Sequence, residues 1–115
     1  MEVVHACREL ELPFFPGVAT PSEIERLALL GLRTLRVFPA APLGGPAFLQ
    51  AVAAIYPEVQ FIPAGGIGPE SLRQYLQVPA VLAVAGSGLI RGDLLRARNF
   101  DRIEWLARDA QRSYR

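Results

Sequence analysis

Two glycine-rich segments are the strongest candidates for chemistry in this chain. Gly65-Gly66 and Gly86-Ser87-Gly88 each follow an apolar run and precede a predicted helix or turn. Glycines allow backbone N–H groups to approach an anion closely, and the N-terminus of a following helix favours negative charge. The pattern indicates a phosphate site at two adjacent strand ends or, alternatively, two tight turns in which the glycines have only a conformational role.

Other side chains that could do chemistry lack partners at a useful spacing. His5 has no residue at catalytic-triad or metal-ligand spacing, and Cys7 has no neighbouring histidine. The carboxylates of Glu23, Glu25 and Glu70 lie at predicted helix starts, where capping or the helix dipole accounts for them. We therefore expect no metal site and no cofactor.

Composition and charge exclude several classes of protein. A net charge of +1 and scattered arginines give no electrostatic case for nucleic acid. No apolar run is long enough to cross a membrane, the first residues do not resemble a signal peptide, and a single cysteine excludes an internal disulfide. We expect a cytoplasmic protein that has no membrane partner and binds no nucleic acid.

Hydrophobic periodicity predicts alternating helices and strands. Buried strands are predicted over residues 13–18, 34–38, 59–63 and 81–85. Helices are predicted before, between and after them, and the first is only a stub over residues 1–9. The sequence Thr20-Pro21-Ser22-Glu23 forms a capping box with proline at the first helical position.

This order predicts an α/β fold. Strands of nearly continuous apolar residues between amphipathic helices are typical of a parallel sheet that helices cover. Four βα units make either a small open sheet or half of a (β/α)8 barrel, which needs roughly 200 residues or more. We predict one domain over residues 1–115, with four βα units from residue 13 onward.

Four segments carry a resemblance to the 2-keto-3-deoxy-6-phosphogluconate (KDPG) / 4-hydroxy-2-oxoglutarate (KHG) aldolase family. Their order and separation are similar to those of strands 5–8, the second half of that family's TIM (β/α)8 barrel. The matching segments are Pro13-Phe14-Phe15-Pro16-Gly17-Val18, Arg36-Val37-Phe38-Pro39-Ala40, Phe61-Ile62-Pro63-Ala64-Gly65-Gly66-Ile67 and Val84-Ala85-Gly86-Ser87.

The resemblance implies roles for individual residues. The family's phosphate-binding positions correspond to Gly65, Gly66, Gly86 and Ser87. A keto acid or sugar phosphate is the implied ligand, and Phe38 is expected to pack beside the bound keto acid. The implied substrate-binding positions are Phe38, Pro39, Pro16 and Ala64.

The resemblance also implies a lyase reaction, in which a lysine Schiff base promotes retro-aldol cleavage of a 2-keto-4-hydroxy acid to pyruvate and an aldehyde. Arg36 stands at the position of that lysine, and the chain contains no lysine. Since a guanidinium stays protonated and is a poor nucleophile, we expect imine chemistry to be lost. Ala64 also replaces a hydroxyl-bearing threonine, and the family's general-base glutamate lies on its first barrel strands, outside the matching region.

We therefore interpret the chain as an aldolase-family protein that is inactive alone. One alternative is a non-catalytic module that binds a phosphate or sugar phosphate, in which Arg36 holds a carboxylate. Another is a structural half-barrel that closes a barrel with a second copy or with a partner supplying the first four strands, since exposed sheet edges invite pairing. We expect a homo-oligomer. A last alternative is that Met1 begins a truncated reading of a longer gene.

Overall fold

The computed structural model describes residues 1–114. Its strands are β1 (Gly17–Val18), β2 (Thr34–Val37) and β3 (Gln60–Pro63). Its helices are α1 (Glu2–Glu9), α2 (Pro21–Leu29), α3 (Pro46–Ile55), α4 (Pro69–Leu76), α5 (Gly92–Arg96) and α6 (Phe100–Tyr114), with a 3₁₀ helix over Ser87–Leu89. The predicted domain boundary at residue 115 stays a prediction, because Arg115 lies outside the described residues.

The sheet is parallel, in the order β1-β2-β3. In its register Gly17 lies beside Arg36, and Arg36 lies beside Ile62. Helices precede and follow these strands, so the prediction of an α/β fold built from parallel βα units is confirmed.

The fourth predicted strand, residues 81–85, is interrupted. This segment runs parallel to β3 but meets it only through isolated bridges from Phe61 to Val81 and from Ala64 to Ala85. The two bridges are three residues apart on the β3 side and four apart on the other side. That extra residue breaks the ladder, as a bulge does.

The helices cover one face of the sheet. Leu35 and Val37 of β2 and Phe61 of β3 are fully buried in one core with residues of α1, α2, α3 and α4. Their neighbours Arg36 and Gln60 are exposed. Burial along these strands therefore alternates with the two-residue period of a strand.

Local sequence signals account for the helix starts. The Thr20 hydroxyl accepts a hydrogen bond from the Glu23 N–H, and the Glu23 carboxylate accepts from the Thr20 N–H, so the predicted capping box is confirmed. Pro46 and Pro69 occupy the first turns of α3 and α4. Proline is tolerated there because the first N–H groups of a helix have no intrahelical partner.

No helix among residues 1–114 is long and apolar enough to cross a membrane.

Replacing Phe61 with alanine tests the one-sided core. Because Phe61 is fully buried, Phe61→Ala is expected to lower the free energy of unfolding by about 3–5 kcal/mol. The matched control is Phe15→Ala, expected to cost only about 1 kcal/mol because the Phe15 side chain is 51% exposed. Urea unfolding followed by circular dichroism measures both. Equal losses would contradict a core confined to the helical face.

The capping box makes stability depend on pH. Hydrogen bonds from the N–H groups of Ala19 and Thr20 lower the pKa of Glu23 from its ordinary value of 4.5. Since the folded pKa lies below the unfolded one, this contribution is fully present above the unfolded pKa and is lost as pH falls through the folded value. Glu23→Gln is expected to flatten the acid limb of the stability profile. Glu25→Gln, on the same helix but outside the box, is the control and is expected to preserve that limb.

A candidate anion site at the carboxyl edge of the sheet

The loops that follow β2 and β3 are joined by hydrogen bonds. The Ala40 N–H donates to the Ala64 carbonyl at 2.7 Å, and the Ala41 N–H donates to the Gly65 carbonyl at 3.0 Å. The parallel pairing of the two strands thus continues past their ends. It fixes the backbone of residues 64–68, which we call the Gly65 loop, against the loop after β2.

Close packing against the β2 loop accounts for Gly65 and Gly66. Both have positive φ, +96° and +73°, a region that other residues rarely adopt. A Cβ on Gly65 would lie 2.9 Å from the Phe38 ring, and one on Gly66 would lie 2.7 Å from the Ala41 Cβ. These two glycines therefore have a conformational role, whether or not they also contact a ligand.

The second glycine segment, residues 86–88, lies against the Gly65 loop and is called the Gly86 loop. A Cβ on Gly86 would lie 3.3 Å from the Ile67 carbonyl oxygen, and one on Gly88 would lie 3.1 Å from the Gly68 Cα. The structure thus brings together the two loops that contain Gly65, Gly66, Gly86 and Ser87.

Several N–H groups in these loops have no protein partner. Within residues 1–114, the N–H groups of Gly66, Gly86 and Ser87 donate to no protein atom. The N-terminus of α4, which begins at Pro69, adds the positive end of a helix dipole. One group opposes it: the Glu70 carboxylate lies so near Gly68 that a Cβ there would be 2.5 Å from its Oε1. Unpartnered N–H groups and a helix N-terminus are suited to binding an anion. The negative charge of Glu70 opposes that binding, because it lies in the same region of positive potential.

Arg36 lies on the sheet face that no helix covers, which we call the open face. Its N–H donates to the Pro16 carbonyl at 2.8 Å, which fixes the backbone. Its side chain is exposed and, among the described residues, makes no hydrogen bond or salt bridge. The guanidinium is available to an anionic group that approaches the open face.

The other predicted substrate-binding residues differ in how exposed they are. The Phe38 side chain is 57% exposed at the end of β2, with its ring against Gly65, and Pro39 follows it through a cis peptide bond. Pro16 and Ala64 are buried. The Ala64 N–H and carbonyl are both hydrogen bonded to the backbone of β2 and of the loop that follows it. Phe38 is therefore accessible to a ligand, whereas Pro16 and Ala64 support the backbone around it.

The remaining side chains do not add to the site. No three His, Cys, Asp or Glu side chains of residues 1–114 are grouped so that they could hold a metal ion. His5 and Cys7 are on α1, and Glu23 caps α2. Sequence reasoning missed Thr34 and Gln60, which lie beside each other in the strand register and share the open face with Arg36. Their spacing of two residues from Arg36 and Ile62 was the signal that could have found them.

Comparisons with known proteins give a family match over most of the chain. The family model described as KDPG and KHG aldolase matches residues 1–106. The KHG/KDPG aldolase of Escherichia coli (strain K12) is 41% identical over 108 residues, which are 94% of this chain and 51% of that protein.

Solved structures give the same result. The 4-hydroxy-2-oxoglutarate/2-dehydro-3-deoxyphosphogluconate aldolase from TTHB1 matches with a TM-score of 0.88 and 39% identity, over 99% of this chain and 54% of that one. The 2-keto-3-deoxy-6-phosphogluconate aldolase of Zymomonas mobilis ZM4, solved with 3-phosphoglycerate, matches with a TM-score of 0.80 and 32% identity, over 90% of this chain and 48% of that one.

The chain thus spans about half the length of the curated relatives that it matches. The predicted likeness to half of the aldolase barrel is confirmed by the structural matches. Because the family model covers nearly the whole chain and the core strands superpose on solved aldolases, this chain belongs to the KDPG and KHG aldolase family.

Proposed function

We propose that this chain binds a phosphate ester of a keto acid or sugar acid and does not by itself cleave it through a Schiff base. The observation that carries the proposal is the contact between the Gly65 and Gly86 loops, which gathers unpartnered N–H groups at one edge of the sheet. A cytoplasmic location is part of this proposal, since sugar-acid phosphates are intracellular metabolites as a class.

Two properties of the site support phosphate as the ligand. The N–H groups of Gly66, Gly86 and Ser87 are donors without acceptors, and phosphate oxygens are strong acceptors. Backbone donors beside a helix N-terminus are a common way to hold such a group. The Zymomonas mobilis relative was solved with 3-phosphoglycerate, which makes this compound a suitable first ligand for this chain.

The nature of residue 36 supports the absence of Schiff-base chemistry. An imine forms only from an amine that can lose its proton, and the guanidinium of Arg36 does not do so at physiological pH. No lysine elsewhere in the chain can replace it. Arg36 is instead suited to holding the carboxylate of a keto acid as a bidentate ion pair, because it is exposed and unpaired among residues 1–114.

A second candidate function is structural, and the open face favours it. Phe15 and Leu82 are exposed large apolar residues. Leu82 follows Val81, the bridge partner of the buried Phe61, so it alternates onto the open face. A closed barrel would cover them and would remove both sheet edges. In this hypothesis the chain is one half of a barrel, completed either by a second copy or by a chain that supplies the first four strands.

Trapping with pyruvate and borohydride tests the missing nucleophile. Wild-type protein is expected to give no reduced pyruvate adduct at residue 36, whereas Arg36→Lys is expected to give one, because it restores a primary amine beside Phe38. The yield should rise with pH, since an exposed lysine is deprotonated only near its pKa of about 10.4. Intact mass and peptide mapping locate the adduct.

Arg73→Lys is the matched control for this experiment. Arg73 is exposed on α4, so a lysine there reports the reactivity of an ordinary surface amine. Peptide mapping also distinguishes an adduct on the N-terminal amine from an adduct at residue 36. Equal labelling of the lysines at positions 36 and 73 would show that position 36 offers no keto-acid pocket in this chain, and an adduct at wild-type Arg36 would overturn the argument from its chemistry.

Removing one N–H group tests the anion site. Ser87 is the first residue of a 3₁₀ helix and follows an extended Gly86, so proline is sterically compatible there. Ser87→Pro is expected to weaken binding of 3-phosphoglycerate by about tenfold or more, since a hydrogen bond to a charged group contributes about 1.5–3 kcal/mol. Isothermal titration calorimetry measures the affinity.

Ser87→Ala separates the backbone donor from the hydroxyl. This variant keeps the N–H group and is expected to bind 3-phosphoglycerate with nearly wild-type affinity. An equal loss in Ser87→Ala and Ser87→Pro would assign the contact to the hydroxyl, which both variants lack. Absence of binding by wild-type protein at millimolar ligand would refute the proposed function.

A further inference from the structure

The most deeply buried of the three tyrosines has a hydroxyl without a hydrogen-bond partner. The Tyr56 hydroxyl donates to the Pro21 carbonyl at 3.2 Å. The hydroxyl of Tyr114, a residue that is 64% exposed, donates to the Leu82 carbonyl at 3.3 Å. Tyr75 of α4 is only 2% exposed, yet its hydroxyl makes no hydrogen bond to any atom of residues 1–114. Since buried polar groups are nearly always hydrogen bonded, this hydroxyl requires a partner that the described chain does not supply.

The Tyr75 hydroxyl lies beside the start of α3. A Cβ on Gly45, the N-cap residue of α3, would lie 3.1 Å from the hydroxyl oxygen. Because Gly45 has no side chain, it cannot cap α3 as Thr20 caps α2. In the part of the chain that the structure describes, the N–H groups of Ala47 and Phe48 in the first turn of α3 donate to no protein atom. The hydroxyl and these two N–H groups are therefore three unpartnered donors at one helix start.

The surroundings of these donors favour a small anion. α3 has no acidic residue in its first turn, so no side chain opposes the positive end of its dipole there. Burial raises the pKa of Tyr75 above its ordinary value of 10.0, so the hydroxyl keeps its proton at neutral pH and remains a donor. No fully enclosed side-chain nitrogen or oxygen of residues 1–114 lacks a partner, so this hydroxyl oxygen keeps a narrow contact with solvent. The flanking Gly44 and Ala47 are exposed, which lets a small solute approach.

We propose that the start of α3 is a second anion site, in which the Tyr75 hydroxyl and the N–H groups of Ala47 and Phe48 hold one compact monoanion, such as chloride or a small carboxylate. A helix N-terminus carries roughly half a positive charge, which suits one negative charge better than the double charge of a phosphate ester. The site is separate from the Gly65 and Gly86 loops and does not rest on the proposed function.

A bound anion stabilises the loop between β2 and α3. It accepts hydrogen bonds from the first turn of α3, as the side chain of a serine or aspartate N-cap residue would. The same loop carries Phe38 and is joined to the Gly65 loop by the hydrogen bonds of Ala40 and Ala41. Since the unfolded chain has no such site, the folded chain gains stability as the anion concentration rises.

Titration of the full chain with chloride, and separately with acetate, is the first test. Amide chemical shifts are followed by NMR at constant ionic strength, which a bulky sulfonate (MOPS) salt maintains. The Ala47 and Phe48 amide signals are expected to shift and saturate, and the anion that binds more tightly identifies the occupant. The Glu23 amide, whose N–H donates to the Thr20 hydroxyl, is the internal control and is expected not to saturate. No saturable shift with either anion would overturn the proposal and assign the Tyr75 hydroxyl to water.

Removing the hydroxyl is the second test. Tyr75→Phe keeps the ring and is expected to weaken anion binding by about tenfold or more, because a hydrogen bond to a charged group is lost. Tyr56→Phe is the matched control: its hydroxyl has a protein partner, so anion affinity is expected to be unchanged. In the sulfonate salt alone, Tyr75→Phe is expected to melt no lower than wild type, whereas chloride or acetate should raise the Tm of wild type more. Equal anion affinity of wild type and Tyr75→Phe would refute the site.

A carboxylate placed at the helix start is the third test and leaves Tyr75 intact. Ala47→Glu puts a negative charge in the exposed first turn of α3 and is expected to weaken binding of chloride and acetate by about tenfold or more. Ala54→Glu adds the same charge roughly 10 Å along the helix, at another exposed position, and is expected to have little effect. Equal losses in the two variants would indicate a general effect of surface charge and contradict the site.

The NMR signals also separate this inference from the proposed function. Binding of 3-phosphoglycerate is expected to shift the amide signals of Gly66, Gly86 and Ser87, whereas chloride and acetate are expected to shift those of Ala47 and Phe48. A chain that binds chloride or acetate at α3 but no 3-phosphoglycerate would refute the proposed function and support this inference.

Discussion

The alternation of side chains along β2 and β3 is the constraint on which the rest of the structure depends. Leu35, Val37 and Phe61 enter the helical core, and the intervening positions necessarily face the other way. Arg36 occupies one of those positions. Helices cover only one face of the sheet. The charged Arg36 side chain, which would be costly to bury, therefore stays in solvent, while its neighbours Leu35 and Val37 pack in the core.

The same parallel pairing positions the candidate site. Hydrogen bonds from Ala40 and Ala41 continue the β2–β3 register beyond the strand ends, and this forces a close approach at which only glycine fits at positions 65 and 66. The Gly86 loop then packs on Ile67 and Gly68. The close packing of the loops also leaves some N–H groups without partners. A loop backbone that turns to pack against its neighbour cannot place every N–H group in the hydrogen-bond ladder of the sheet.

Much of the fold and part of the site could be predicted from the sequence. The capping box of α2 and the parallel βα order followed from signals that are close together along the chain. Phe15 and Leu82 lie in segments that were predicted as buried strands, but their side chains are 51% and 40% exposed. The short helix α5 was not predicted.

The sequence by itself determined the chemistry available at each position: an arginine with no lysine anywhere, glycines at two predicted strand ends, and a helix start capped by residues three apart. Only the tertiary structure decided how these parts meet. It interrupted the fourth strand at residues 81–85, buried Pro16 and Ala64 while leaving Phe38 exposed, and set Gly86 against Ile67. The physical reason is that capping and side-chain chemistry are local properties, whereas burial and loop contact depend on segments distant in sequence packing at fixed register.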